Sequence, residues 1–277
     1  MLHFARTLPA TPAVLGKLQH LLSDTNSGLD EVCILLKRDM ALSARVIQIS
    51  NSAFFSPALP HTSLEEAVGC VGYDSICKVV GLTVGSQLYD RDLHYCAIPS
   101  SRLWENTLVC ALAMESLAQF IGIDPRSAYT TGLMRSLGKL VLDRLAAEMK
   151  LAPYPAAGEE PLASWETAAF GWDNPGATAL LLEEWNFSGE TVEAVRRHYQ
   201  PESAFEDAAA SALLLNFAAR IADELGHGLP GEASYWQGLA PRLPRAGLSE
   251  AEFELCREET RTAFDQIRYA FADPARI

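Results

Sequence analysis

Several features that would place the chain at a glance are missing. No run of about 18 apolar residues occurs, so no membrane span is expected. Long alternating apolar–polar runs, which build half-buried strands, are also absent. The six cysteines (Cys33, Cys70, Cys77, Cys96, Cys110 and Cys256) form no Cys-x-x-Cys pair. Their spacing suits neither a zinc ribbon nor a secreted disulfide framework. They read as reduced, mostly buried thiols of a cytoplasmic protein. The opening MLHFARTLPATP lacks a charged segment followed by an apolar one, so no secretion signal is expected. Positive charge is scarce: 22 Lys and Arg stand against 35 Asp and Glu, a formal charge of −13. The imbalance is uneven. Residues 1–150 carry 13 basic and 14 acidic groups, residues 151–277 only 9 and 21. Phosphate contacts need clustered Lys and Arg, so no nucleic-acid partner is expected.

What is present is helical patterning. The 277 residues, 49% of them hydrophobic, suffice for a real core without staples. Thr11-Pro12 reads as cap and first residue of a helix carrying Val14, Leu18, Leu21 and Leu22. A short helix follows over about 29–37, and Asp39 and Asp74 read as caps of later ones. Thr62-Ser-Leu-Glu65 and Ser249-Glu-Ala-Glu252 have the form of capping boxes. A longer helix is expected over about 103–121, closed by Gly122, and Asp124-Pro125 opens the next. Further helices begin at Asn174-Pro175 and Ser188, and residues 207–225 carry a long apolar stripe. The Gly/Pro-rich stretch 226–248 reads as a loop with a short helix around Tyr235 and Trp236. The expected fold is all-α and two-lobed, a small N-terminal helical bundle over 1–90 and a second helical unit over 91–277.

Six segments then match, in order, a known pattern. LPATPAVLGKL (8–18) is similar to its opening helix, RDMALSARVIQISNSAFF (38–55) to its most recognisable stretch, and TSLEEAVGCVGYDSI (62–76) to the helix pair that follows. LWENTLVCALAMESLA (103–118), TGLMRSLGKLVL (131–142) and WETAAFGWDNPGATALLLEEWNFS (165–188) complete it. The chain resembles HDOD domains, bacterial signalling relatives of the HD phosphohydrolases, over about residues 5–200. In the HD superfamily, a His…His-Asp…Asp set binds metals that activate water for phosphate-ester hydrolysis.

The resemblance places those ligand positions at Asn106, at the Arg135-Ser136 pair, at Asn174, at the His198-Tyr199 pair and at Asn216. Of these only His198 keeps a metal-binding type. Asn is a weak ligand, and Arg stays protonated and offers only donors. No metal and no cofactor is therefore expected. The resemblance implies a non-catalytic regulatory module that meets signalling proteins in trans. The competing readings are a metal-dependent phosphohydrolase with an unusual site and a sensor of a nucleotide or other anion.

Arg135 carries the choice. It is a surface arginine in an ion pair, a fixed charge filling the vacated pocket with Glu105 or Glu166 as partner, or part of an anion site with Lys139 and His198. Lys139 taken alone reads as a solvated lysine. Asn174 reads as an N-cap, Asn106 as a hydrogen-bonding bridge, and His198 as a histidine at a helix C-terminus. Asn51-Ser52 reads as a helix stop that fixes a turn. Phe54, Phe55, Tyr235 and Trp236 are candidates for an exposed partner surface, and the acidic helix 250–265 for a solvated face.

Overall fold

The computed structural model describes residues 12–24, 27–52, 55, 60–72, 75–155, 161–203 and 206–271. Thr11, Phe54 and Asp74 lie outside them. The described residues are helical, with no strand beyond an isolated bridge between Leu93 and Ile98. The all-α expectation is met.

Five helices form the first part of the chain: α1 (Pro12–Ser23), α2 (Leu29–Leu36), α3 (Met40–Ser50), α4 (Leu64–Val71) and α5 (Ile76–Leu88). Local chemistry sets several of their starts. Asp39 Oδ1 accepts from the Leu42 amide at 3.0 Å, capping α3. The capping box of α4 sits one residue later than the sequence reading had it. Ser63 Oγ accepts from the Glu66 amide, and Glu66 accepts from the amides of Thr62 and Ser63. With Ser63 as cap, Leu64, Ala67 and Val68 are buried, while Glu65 is free to pair with Lys37. At the end of α3, Asn51 donates to the His61 carbonyl at 2.9 Å and accepts the His61 amide at 2.7 Å. That side chain ties the end of α3 to the backbone just before α4.

The remaining helices are α6 (Ser100–Ile121), α7 (Pro125–Met134), α8 (Leu137–Met149), α9 (Leu162–Phe170), α10 (Asn174–Glu184), α11 (Gly189–Arg197), α12 (Glu206–Ala222) and α13 (Glu250–Phe271). Between α12 and α13 the chain makes a π-helical turn at Asp223–His227, 3₁₀ turns at Ala233–Trp236 and Pro244–Ala246, and one α turn at Leu239–Arg242. The 22-residue α6 is the axis: α5, α7, α12 and α13 all pack on it. α8 packs on α10, α10 on α11, and α11 on α12. The apolar core runs from Leu15 in α1 to Ile267 in α13 without a break.

Two close approaches fix the frame around the site. At Gly132 in α7, an added Cβ would lie 2.6 Å from the Cys110 carbonyl oxygen and 2.7 Å from Ala111 Cα of α6. At Gly138 in α8, it would lie 2.5 Å from the Asn174 carbonyl oxygen of α10. These two glycines bracket Arg135-Ser136, the short link between α7 and α8. The absence of side chains at 132 and 138 lets α6 and α10 close over that link from either side.

Gly132→Ala is expected to lower unfolding stability by about 1–3 kcal/mol through backbone overpacking. Gly189→Ala, where nothing lies within 4 Å, is expected to leave it unchanged or slightly raised. Urea unfolding of the two variants side by side checks this, and equal losses would contradict the close-packing account.

Candidate functional site

The link between α7 and α8 places Arg135 at the C-cap of α7, with none of its surface exposed. Its guanidinium reaches three elements. Nη2 donates to Glu232 Oε2 at 2.7 Å and to Asn106 Oδ1 at 2.9 Å, and Nη1 lies 3.2 Å from His198 Nε2. The Trp236 ring lies 5.5 Å below the guanidinium carbon. One turn into α8, Lys139 is equally buried, 3.1 Å from Glu232 Oε1 and 3.7 Å from Glu166 Oε1. Two cations and two carboxylates are thus enclosed together, and their formal charges cancel.

Hydrogen bonds saturate the carboxylates. Tyr199 donates to Glu232 Oε1 at 2.7 Å, Tyr95 to Glu166 Oε1 at 2.7 Å, and the Asn174 amide to Glu166 Oε2 at 2.7 Å. Tyr95 is held in place because Asp143 accepts the amides of His94 and Tyr95, pinning the 89–99 loop to α8. Burial penalises the Glu232 carboxylate, but Arg135 and then Lys139 outweigh it and hold the group at about 2. Burial likewise works against Lys139, yet Glu232 and Glu166 keep it above the ordinary lysine value. Burial pushes Glu166 up, against Lys139 and its two hydrogen-bond donors.

His198 is the C-cap of α11, as its place near the helix end suggests. Its Nδ1 lies 2.6 Å from the Val195 carbonyl, which makes Nδ1–H the donor and leaves the Nε2 lone pair facing Arg135. Burial, then the neighbouring Arg135, lower its pKa to about 3. The ring is neutral at physiological pH and contributes no positive charge to an anion site.

The other positions are equally buried but do different work. Asn106 also donates to the His227 carbonyl at 2.9 Å, bridging α6 to the π-helical turn. Asn174 is not an N-cap. Asp173 caps α10 by accepting from the Gly176 amide at 2.8 Å. Asn174 stands one residue inside, where its Oδ1 accepts the Lys139 amide and its Nδ2 faces Tyr199 Oη and the Arg135 carbonyl. Asn216 donates to the His198 and Tyr235 carbonyls, and its Oδ1 accepts from Arg242 at 3.3 Å. Ser136 is buried, and its hydroxyl takes no part in the network.

Several expectations need correction. Lys139 is not solvated. Glu105 does not meet Arg135; its carboxylate lies 3.1 Å from His227 Nδ1. Glu166 pairs with Lys139 instead. The partner of Arg135, Glu232, went unnoticed because it sits in a Gly/Pro-rich loop 97 residues away in a strongly acidic half. Trp236 is buried against His198 and Arg135, so it offers no partner surface, and Tyr235 stacks on Tyr199.

The residues present do not fit a metal ion. The Arg135 guanidinium stands among the positions that the resemblance assigned to ligands, and it engages Asn106 Oδ1 and His198 Nε2. Among the described residues no group of three or more His, Cys, Asp or Glu is placed to hold one.

The sequence profile of the HDOD domain matches residues 8–201. Three solved structures are similar to the chain over nearly its whole length. An HDOD domain protein of unknown function from Geobacter sulfurreducens is 22% identical, with 97% of this chain and 96% of that one covered and a TM-score of 0.69. A proposed phosphohydrolase from Shewanella amazonensis SB2B is 24% identical, with 96% and 97% covered and a TM-score of 0.66. A proposed signal transduction protein from Marinobacter aquaeolei VT8 is 22% identical, with 95% of this chain and 59% of that one covered and a TM-score of 0.72. At these identities the likeness is one of fold. No curated protein matches the chain. Among the described residues, no helix is long and apolar enough to cross a membrane.

Arg135→Met removes one buried cation and leaves an uncompensated carboxylate, at an expected cost of about 3–5 kcal/mol. Glu232→Gln errs in the opposite sense. The double variant restores neutrality, so its loss is expected to fall well short of the sum in a double-mutant cycle. Additive losses would contradict the coupling of the two charges.

The depressed His198 pKa gives a second expectation. The unfolded chain takes up a proton at this residue below about pH 6.5, while the folded one refuses it until about pH 3. Its contribution to stability is therefore present above pH 6.5 and is lost as pH falls through that window, by up to about 1.4 kcal/mol per pH unit. Glu232 adds a loss in the same direction below about 4.5. Unfolding free energies measured from pH 7 to 5 should fall less steeply in His198→Gln than in the parent chain. Equal slopes would show that the histidine titrates freely.

Proposed function

The chain belongs to the HDOD family, and we propose that within it this protein is a non-catalytic regulatory module that works by contact with signalling proteins in trans. One observation carries the reading. Arg135, Lys139, Glu166 and Glu232 form an enclosed, charge-balanced knot beside the positions that the resemblance assigns to the metal ligands of HD enzymes. Metal-assisted hydrolysis needs an open coordination position and a water that can be deprotonated. Here the guanidinium fills the space, repels a dication, and engages the remaining donors itself.

The same geometry gives less support to the sensor reading. An anion entering between Arg135 and Lys139 would compete with Glu232, which already neutralises both and accepts from Tyr199 as well. Nor does His198 add charge there. The surplus of acidic groups in residues 151–277 speaks against nucleic acid as the partner.

The test is metal content and hydrolysis together. Protein prepared without chelator, then exposed to Mn²⁺ or Mg²⁺ and desalted, is expected to retain no stoichiometric metal. It is also expected to turn over neither a phosphodiester nor a cyclic dinucleotide. Retention of about one or two metal ions per chain, with hydrolysis lost in His198→Ala, would overturn the reading and restore the enzyme hypothesis.

A further inference from the structure

Away from the buried charges, a cavity of about 350 Å³ opens where α3, α5, α6 and α13 meet. Its walls are apolar: Ile49 from α3, Leu82 from α5, Leu108 from α6, and Phe264 and Ile267 from α13 are all buried residues that face it. Trp104 forms one side, and its ring fits only because residue 85 of α5 is glycine. The volume falls in the range of small-molecule sites, which are mostly apolar with a few polar groups at one end.

The polar residues of the lining are Arg45, Ser86, Glu105 and Arg268. Half-buried Arg45 donates to the neutral amide oxygen of Gln48, and no carboxylate among the described residues lies within ion-pair distance of it. Exposed Arg268 lies 3.3 Å from Asp265 on its own helix. The one carboxylate in the lining, Glu105, is turned to His227. In a protein of net charge −13, a largely apolar pocket with a half-buried guanidinium that pairs with no carboxylate among the described residues is a specific combination. It matches an amphipathic anion: an apolar body for the chamber and a single carboxylate for Arg45, in the charge-assisted geometry that arginine favours.

We propose that this cavity is a binding site for a small apolar carboxylate of the fatty-acid type, held by Arg45 at its mouth. The proposal stands apart from the non-catalytic reading. A bound carboxylate would tie α3 and α5, from the first part of the chain, to α6 and α13. Occupancy would also reach Glu105, the neighbour in sequence of Asn106, whose side chain touches Arg135.

Titration calorimetry with decanoate, and with decanol as the neutral counterpart, tests it. The parent chain is expected to bind decanoate saturably at about one per chain. Arg45→Gln should weaken decanoate at least tenfold while leaving decanol unchanged. Ser86→Phe, which fills the cavity from α5, should abolish binding of both. Absence of saturable decanoate binding by the parent chain would overturn the proposal. So would binding indifferent to both substitutions, which marks surfactant adsorbed elsewhere. Circular dichroism and thermal unfolding of the unliganded variants verify that a loss of binding is not a loss of fold.

Discussion

The contact between Arg135 and Glu232 is the interaction on which the rest of the site depends. Both side chains are withdrawn from water, and a lone charge in that position would cost several kcal/mol. Each is therefore strongly stabilised by the other. Glu232 arrives on a loop, so the loop must be held, and Tyr199 and Lys139 hold its carboxylate from the other side. Lys139 in turn needs Glu166, and Glu166 needs Tyr95 and the Asn174 amide. The chain of requirements ties the 89–99 loop, α7, α8, α9, α10, α11 and the stretch after α12 to one point.

Such a knot is not an efficient way to stabilise a fold, since well-packed apolar residues of the same volume often do as well or better. What it does supply is geometric definition. A guanidinium with fixed donor directions accepts only one arrangement of α6, the α11 end and the 223–236 segment. Asn106 shows the principle at small scale: it accepts from Arg135 with one end and donates to the His227 carbonyl with the other. The π-helical turn at Asp223–His227, with Gly226 at a φ of +83°, lies where that bridge lands.

The solved relatives sharpen the point that fold and chemistry are separable. A proposed phosphohydrolase and a proposed signal transduction protein both share this architecture. Architecture therefore does not choose between the roles, and the side chains at a few positions must. In this chain Arg135 keeps its proton and engages the neutral His198 ring, and the carboxylates nearby are bound to cations. Gly132 and Gly138 keep the frame that closes around them.

Periodicity, caps and turn residues by themselves determined the helical class and most helix starts, while the weight given to residues 131–142 came from the resemblance to the HDOD pattern. Class and starts are local properties, set by side-chain spacing and by hydrogen bonds between residues three or four apart. The resemblance put Arg135 at a ligand position, and because arginine does not give up its proton, a departure from the ligand set was the expectation. Burial was not legible: Lys139 and Trp236 both turned inward against expectation. Nor was the choice of partner. Glu232 is one of 21 acidic residues in its half of the chain, and nothing in its neighbours marks it as the one that meets Arg135. The register of Asn174 was also decided by packing, since Asp173 could cap α10 equally well and Asn174 was wanted inside. Ion pairing across about a hundred residues depends on where the chain returns in space, and only the assembled tertiary structure fixes that.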